Sequence, residues 1–176
     1  MQKQEFLDRI LPLKDKVYRL AKRILISQDE AEDAVQEVFL KLWNAKDRLD
    51  NYTNPEAFTM TMTKNYCLDR LKSKQASNLK IVHHNFKSND SGAEAQLESK
   101  EGIGMVFDIM KKLPEQQRII LQLRDIEEYD FKEIAKILEM NETAIRVNLS
   151  RARKAVREQL IKKYNYGITK NGAINR

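Results

Sequence analysis

Cysteine is all but missing from this chain. Cys67 stands alone among 176 residues, so no intramolecular disulfide and no thiolate zinc site can form, which fits a reducing interior. Proline and glycine are scarce as well, three and five residues, and that argues for helices over a strand-and-turn architecture. No apolar run approaches the roughly eighteen residues of a membrane span, and the opening MQKQEFLDRI has no signal-peptide apolar stretch. The expectation is a cytoplasmic protein with no membrane insertion. No Ser-His-Asp set, phosphate-cradling glycine loop or convergent carboxylate pair is evident, so no enzyme activity, catalytic residue or cofactor is expected. His83 and His84 lack a cysteine or a second cluster beside them, which leaves no metal site.

What is present is charge, unevenly spread. A third of the residues are charged and the net is +6. Residues 1–72 hold 13 basic and 12 acidic side chains, residues 73–104 hold four of each, and residues 105–176 hold 15 and 10. The excess sits in the last third, where a polyanionic partner would be met.

That third contains DFKEIAKILEMNETAIRVNLSRARKAVREQLIKK (130–163). Asp130 with Glu133 forms a capping-box signature, and Ile134, Ala135 and Leu138 supply a buried stripe. Asn141 restarts the chain as a second N-cap, after which Ile145, Leu149, Ala152, Val156 and Leu160 recur at helical spacing. A short helix, a tight turn and a longer helix make a helix-turn-helix, whose second helix fits the major groove of DNA. The competing reading is a helical hairpin with a solvated basic face. From Asn141 to Lys163 seven basic residues face two acids. A solubilising face mixes signs at four-residue spacing, whereas a one-signed face suits phosphate neutralisation.

Upstream, Phe6, Ile10, Leu13, Val17, Leu20 and Ile24 mark an amphipathic helix over 5–26, with Pro12 inside it as a kink or as the mark of a later start. Ser27 with Glu30 caps a second helix, whose face is Ala31, Ala34, Val35, Val38, Phe39 and Leu42, ending near Trp43, itself read as core. Residues 44–54 read as a polar loop. Pro55 opens a third helix to about Lys74. Its Thr59–Thr63 stretch alternates as a strand would, but Pro55-Glu56 is a helix start and no partner strand exists. Residues 75–103 read as a linker, a short helix covers 104–112, and Leu113-Pro114-Glu115 starts another that ends around Glu127. The acidic cluster Asp125, Glu127, Glu128 and Asp130 reads as a solvated turn, and the tail from Asn165 as frayed. The expected fold is all-α: two small helical domains, 1–74 and 104–164, joined by a flexible linker at 75–103, the second a helix-turn-helix, with a tail at 165–176.

Three segments, in order, carry a resemblance. DEAEDAVQEVFLKLW (29–43), NPEAFTMTMTKNYCLDRLKSK (54–74) and LPEQQRIILQLRDIEEYDFKEIAKILEMNETAIRVNLSRARKAVREQL (113–160) resemble the polymerase-clamp-binding helix, the promoter-melting helix and the upstream-element reader of an extracytoplasmic-function sigma factor of bacterial RNA polymerase. The resemblance spans nearly the whole chain. It implies a dissociable subunit that binds core RNA polymerase and promoter DNA, duplex at the −35 element and single-stranded at the −10 element, and that an anti-sigma protein regulates.

By the same resemblance, Asp33, Gln36, Glu37, Leu40 and Lys41 dock on the polymerase. Asn51, Tyr52, Thr53 and Asn54 offer amide edges and an aromatic face to a flipped −10 base. Lys64 and Asn65 touch the non-template strand, Arg70, Lys72 and Lys74 hold phosphates, and Asp69 orients a neighbour. In the recognition helix, base reading falls to the first two turns: Thr143, Arg146 and Val147, with Asn148, Ser150 and the capping Asn141 nearby. Arg151, Arg153, Lys154 and Arg157 are phosphate contacts. The sequence departs from the family's pattern at Glu139 and Thr143, where glycine is usual, at Asn148, often basic, and around Met60, where threonines replace a stacking surface. With Glu139 there, the turn is expected to form without a free left-handed residue. Two other functions remain open at this point: a stand-alone helix-turn-helix regulator whose N-terminal bundle is a sensing or dimerising domain, and a helical adaptor for an acidic protein.

Overall fold

A computed structural model describes residues 2–49, 52–81 and 98–171, and side chains within 2–49, 52–75 and 103–163. Among these residues every regular element is helical. The single N-terminal helix expected from periodicity is broken at Pro12. Helix α1 (Lys3–Arg9) ends in a 3-10 turn at Leu11–Leu13, and α2 (Lys14–Leu25) follows. Proline's missing N–H forbids a continuous ladder, while its fixed φ suits the first position of the new turn. Ile26 closes α2 in the left-handed region, φ 67°, and Ser27 caps α3 (Gln28–Asn44) by accepting from the Glu30 amide. The Glu30 carboxylate reaches across to Lys74 instead.

The polar loop expected at 44–54 holds a four-residue helix, α4 (Lys46–Leu49). Its reason is Leu49, fully buried and worth about 1.5–3 kcal/mol of transfer free energy. Trp43 is half-buried at the rim, edge-on to Phe6 at 5.1 Å. Asn54 caps α5 (Pro55–Ile81) through the Ala57 amide, and this helix runs past Lys74. Its threonines stay helical because Thr59, Thr61 and Thr63 each donate a hydroxyl to the carbonyl four residues back, a bond that suits β-branched threonine in a helix.

The second unit comprises α6 (Glu98–Lys111), α7 (Glu115–Leu121) continued by a π-helical turn at Gln122–Ile126, α8 (Phe131–Leu138) and α9 (Glu142–Asn171). Thus α9 continues as helix to Asn171, into the region read as a frayed tail. Asp130 makes the full capping box with Glu133. Ile134 and Ile137 are the buried residues of α8, while Ala135 and Leu138 pack at its flank. The turn after α8 does use a left-handed residue: Glu139 itself, φ 56° and ψ 41°.

The two units are not separate. Helices α2 and α5 pack on α7, the π-turn and α8, and one cluster of buried apolar side chains runs from Phe6 and Leu20 through Met60 to Ile120, Ile134 and Leu149. Polar groups stitch the seam. Arg19 donates two hydrogen bonds to Glu127, both 2.7 Å, and the Gln122 amide donates to Glu127 while accepting from Arg23. Lys16 and the Tyr129 hydroxyl both donate to Glu56. Arg118, 6% exposed, donates to the carbonyls of Lys111, Leu113 and Ile24 and leaves Nε unpartnered. The acidic cluster expected to be a solvated turn is therefore largely engaged: Glu127 is buried at the seam, Asp125 holds Arg153, and Asp130 caps α8.

Two outcomes test this packing. Burial alone would raise the Glu56 carboxyl, but the hydrogen bonds from Lys16 and Tyr129 hold it below its ordinary 4.5. A carboxyl lowered on folding stabilises above its unfolded value and loses that contribution as pH falls through the folded one. Urea unfolding at stepped pH should show stability declining below about pH 4.5, with that decline shallower in Glu56→Gln. Left-handed backbone costs a side chain about 1–2 kcal/mol, partly offset in glycine by greater unfolded freedom. Glu139→Gly should therefore raise unfolding free energy by about 0.5–1 kcal/mol in the same assay.

Candidate nucleic-acid interface

Helix α9 is built so that burying one stripe exposes another. Ile145, Leu149 and Ala152 are inside, and Val156 and Leu160 line the shoulder of an apolar groove of about 530 Å³ shared with Val106, Met110 and Leu121. Thr143, Arg146, Val147, Ser150, Arg151, Arg153, Lys154 and Arg157 are then left exposed. Asn141 spends its side chain on capping, accepting from the Ala144 amide at 2.7 Å. Asn148 is half-buried and donates to the Ala144 carbonyl at 2.9 Å. Of the six residues expected at or beside the bases, all but Asn148 are exposed, and of the exposed five Asn141 spends its side-chain oxygen on the helix cap. Val147 is 43% exposed.

Arg146 is held from two sides. Glu142 accepts from it at 2.7 Å, and its guanidinium lies 3.9 Å from the Phe131 ring centre. Arg124, not singled out by sequence pattern, sits 4.9 Å from the same ring. Further along, the Arg153 guanidinium bonds Asp125 at 3.0 Å, and that hydrogen bond raises its pKa further above the ordinary arginine value. Lys154 lies 3.9 Å from Glu158, both exposed. Such a pair contributes little in water, so Lys154 remains available to a phosphate.

On the first unit, Asp33, Gln36, Glu37, Leu40 and Lys41 all lie on the exposed face of α3, with Leu40 54% exposed. Asp33 is 3.6 Å from Arg70, and Lys41 lies 4.7 Å from the Tyr66 ring centre. A cleft of about 640 Å³ between α3 and α5 is lined by Lys41, Phe58, Met62, Asn65, Tyr66 and Arg70. Tyr52 stacks on Phe58 at 4.0 Å and keeps an exposed edge. Thr53 is exposed, Asn54 is the α5 cap, and Asn51 lies outside the described residues, as do His83 and His84.

The basic end of α5 divides. Asn65, Asp69 and Lys72 are exposed, with Lys72 3.9 Å from Asp69. Arg70 is half-buried with its Nε unpartnered, and Lys74 is paired with Glu30. Lys64 is different: only 7% exposed, it lies under the α8 turn, its Nζ 3.8 Å from Glu139. Burial raises the Cys67 thiol to about 12, which keeps it protonated and unreactive. Lys16, Arg19 and Arg23 on α2, three residues of one helical face that sequence reasoning passed over, turn out to hold the seam. Their spacing was a signal, but their partners are distant in sequence: Glu56 is 40 positions from Lys16, Glu127 is 108 from Arg19 and Gln122 is 99 from Arg23.

Residues 10–77 match the family described as Sigma-70 region 2, and residues 103–156 match Sigma-70, region 4. The chain is 28% identical to the ECF RNA polymerase sigma factor SigW of Bacillus subtilis (strain 168), over 88% of each chain. It is 29% identical to the ECF RNA polymerase sigma-E factor of Escherichia coli (strain K12), over 80% of this chain and 78% of that one. Among solved structures, the sigma factor RpoE in complex with the anti-sigma factor NepR from Bartonella quintana superposes with a TM-score of 0.75 at 19% identity, covering 89% of this chain and 97% of that one. CnrH in complex with the cytosolic domain of CnrY superposes with a TM-score of 0.64 at 18% identity, covering 92% and 90%. At those identities the likeness is one of fold.

Proposed function

This chain belongs to the sigma-70 family, as an extracytoplasmic-function sigma factor that directs promoter-specific initiation by RNA polymerase; from that premise we propose how its surfaces divide the work. Residues 1–74 bind core polymerase through Asp33, Gln36, Glu37, Leu40 and Lys41, where acidic and amide groups around an exposed leucine set orientation and on-rate. The same unit takes the −10 element as single strand. Tyr52, Thr53 and the neighbouring Asn51 and Asn54 receive a flipped base, and Asn65, Arg70 and Lys72, with Lys64 once uncovered, follow the backbone. Residues 104–164 read the −35 duplex with α9.

The observation that carries this reading is the exposed cationic wall of α9 standing over a buried stripe, on a unit that matches region 4 of the family. Thr143, Arg146 and Val147 sit in its first two turns, where helix-turn-helix proteins touch base edges. Arg146 can bond a guanine bidentately and Val147 can meet a thymine methyl. Ser150 stands beside them, while Arg151, Lys154 and Arg157 hold phosphates, with Arg153 joining them when it leaves Asp125, and these cations fix register without reading sequence. Asn141 and Asn148 act at one remove, through the helix cap and the Ala144 carbonyl.

Sigma factors are non-enzymatic initiation factors, and the chain acts in the cytoplasm, where polymerase and promoter are. No helix among the described residues is long and apolar enough to cross a membrane. An anti-sigma protein is the expected antagonist, and the relative solved with NepR supports that partner.

Purified chain added to core polymerase should give promoter-specific transcripts that core alone does not make; no transcript from any genomic promoter would overturn the reading. Arg146→Ala should relax preference at one position and cost about 1–3 kcal/mol on the preferred −35 site. Lys154→Ala should weaken all sites alike and lower the salt slope by about 1. Fluorescence titration against preferred and scrambled duplexes at several salt concentrations separates the two. Equal losses from both changes would contradict the division of labour.

A further inference from the structure

Reading a sequence needs directional groups, and the first turns of α9 offer few. Their two amides are already engaged with the helix itself: Asn141 accepts from the Ala144 amide, and Asn148 donates to the Ala144 carbonyl. The guanidinium of Arg146 is then the strongest directional group left on that face, and its orientation decides what it reads. A long arginine on an exposed helix swings to a phosphate as readily as to a base edge, and a phosphate contact carries no sequence information. Something must hold Arg146 off the backbone.

Phe131 is the first residue of α8. Side chains lean toward the N-terminus of their helix, so its ring overhangs the end of α8, between the π-turn and α9. The Arg146 guanidinium lies 3.9 Å from the ring centre, close enough for contact with the ring's face. Arg124 of the π-turn sits 4.9 Å from the same centre and is itself tied to the Tyr129 carbonyl at 2.7 Å. Among the described residues, Phe131 is the one ring with two guanidiniums against it. It is half-buried and packed on the core, so the platform does not travel with the arginine. From the side, Glu142 accepts from the Arg146 Nη2 at 2.7 Å, while more than half of the arginine side chain stays exposed. A pair this exposed adds little stability in water. Its effect here is one of direction: ring and carboxylate together restrict both the plane and the edge of the guanidinium. The Glu142 charge also repels phosphates that would otherwise draw Arg146 aside.

We infer that Phe131 and Glu142 are positioning residues for −35 readout: the ring sets the plane of Arg146, and the carboxylate keeps it off the phosphates, so that it meets a base edge already oriented. Fixing a rotamer-rich side chain before binding removes the ordering that the correct complex would otherwise require. The same restraint withholds Arg146 from DNA of the wrong sequence. The consequence for promoters rests on the −35 reading of α9, whereas the clamp is a property of the free chain.

The full chain, bound to core polymerase, is titrated with the −35 duplex that the native holoenzyme selects from a randomised pool, and with the same duplex scrambled at that element. Phe131→Leu keeps an apolar contact and removes the ring. It should lower the preferred-over-scrambled ratio about two- to tenfold, and Phe131→Tyr, which keeps the ring, should leave the ratio at its native value. In an Arg146→Ala background, where Thr143 and Val147 retain part of the preference, Phe131→Leu should cost nothing further. Glu142→Gln should strengthen binding to the scrambled duplex and steepen its salt slope by about 1, as Arg146 gains a phosphate. Circular dichroism checks the fold of each variant. A ratio indifferent to Phe131→Leu, or a loss equal in both backgrounds, overturns the role of the ring, and an unchanged salt slope in Glu142→Gln overturns that of the carboxylate. In the free, isotope-labelled chain the Arg146 Nε proton should resonate upfield under the ring current of Phe131 and return to its ordinary position in Phe131→Leu. An ordinary position in the native chain overturns the clamp. A native holoenzyme that selects no sequence counts instead against the −35 reading, and the ring-current shift then decides the clamp on its own.

Discussion

Short helices with one apolar stripe each cannot bury themselves, and everything else in this molecule answers to that constraint. Among the described residues the second unit excludes water with Ile119, Ile120, Leu123, Ile134, Ile137, Ile145 and their buried neighbours. The first is little larger. By packing α2 and α5 against α7 and α8 they complete a common core, and small cores gain disproportionately from such sharing. The shared interior dictates which side chains remain outside. On α3 that is the Asp33–Lys41 face, on α9 the cationic wall, and on both the surface proposed to bind is what the hydrophobic stripe leaves over.

The polar groups at the seam give the packing its register. A buried Glu127 with two guanidinium bonds and an amide bond has few alternative arrangements, since a shift would strand a charge. Tyr129 and Glu56 do the same on the other side, joined by Lys16. These contacts are costly to desolvate and contribute modest net stability. Their consequence is that the two units meet in one geometry.

Much of the local structure could be read from residue order. Ser27, Asn54, Asp130 and Asn141 all cap helices as their side chains suggest, because a capping oxygen needs only the backbone three residues on. The exposed face of α9 followed from its buried stripe in the same way. What was illegible is what depends on distant partners. Leu49 is a lone apolar residue in a polar stretch, and only the pocket it fills makes α4 a helix. Glu127 looks solvated beside Asp125, Glu128 and Asp130 until Arg19, 108 positions away, is brought to it. Lys64 looks like a surface cation until α8 covers it. Glu139 shows that a left-handed turn can be forced on a residue that does not prefer it when the helices on both sides are fixed.

Small-angle X-ray scattering of the isolated chain tests the shared core most directly. A single compact body of this length has a radius of gyration of about 16 Å, and the structure predicts a value close to that. A radius above about 22 Å, with the scattering profile of two tethered bodies, would contradict it.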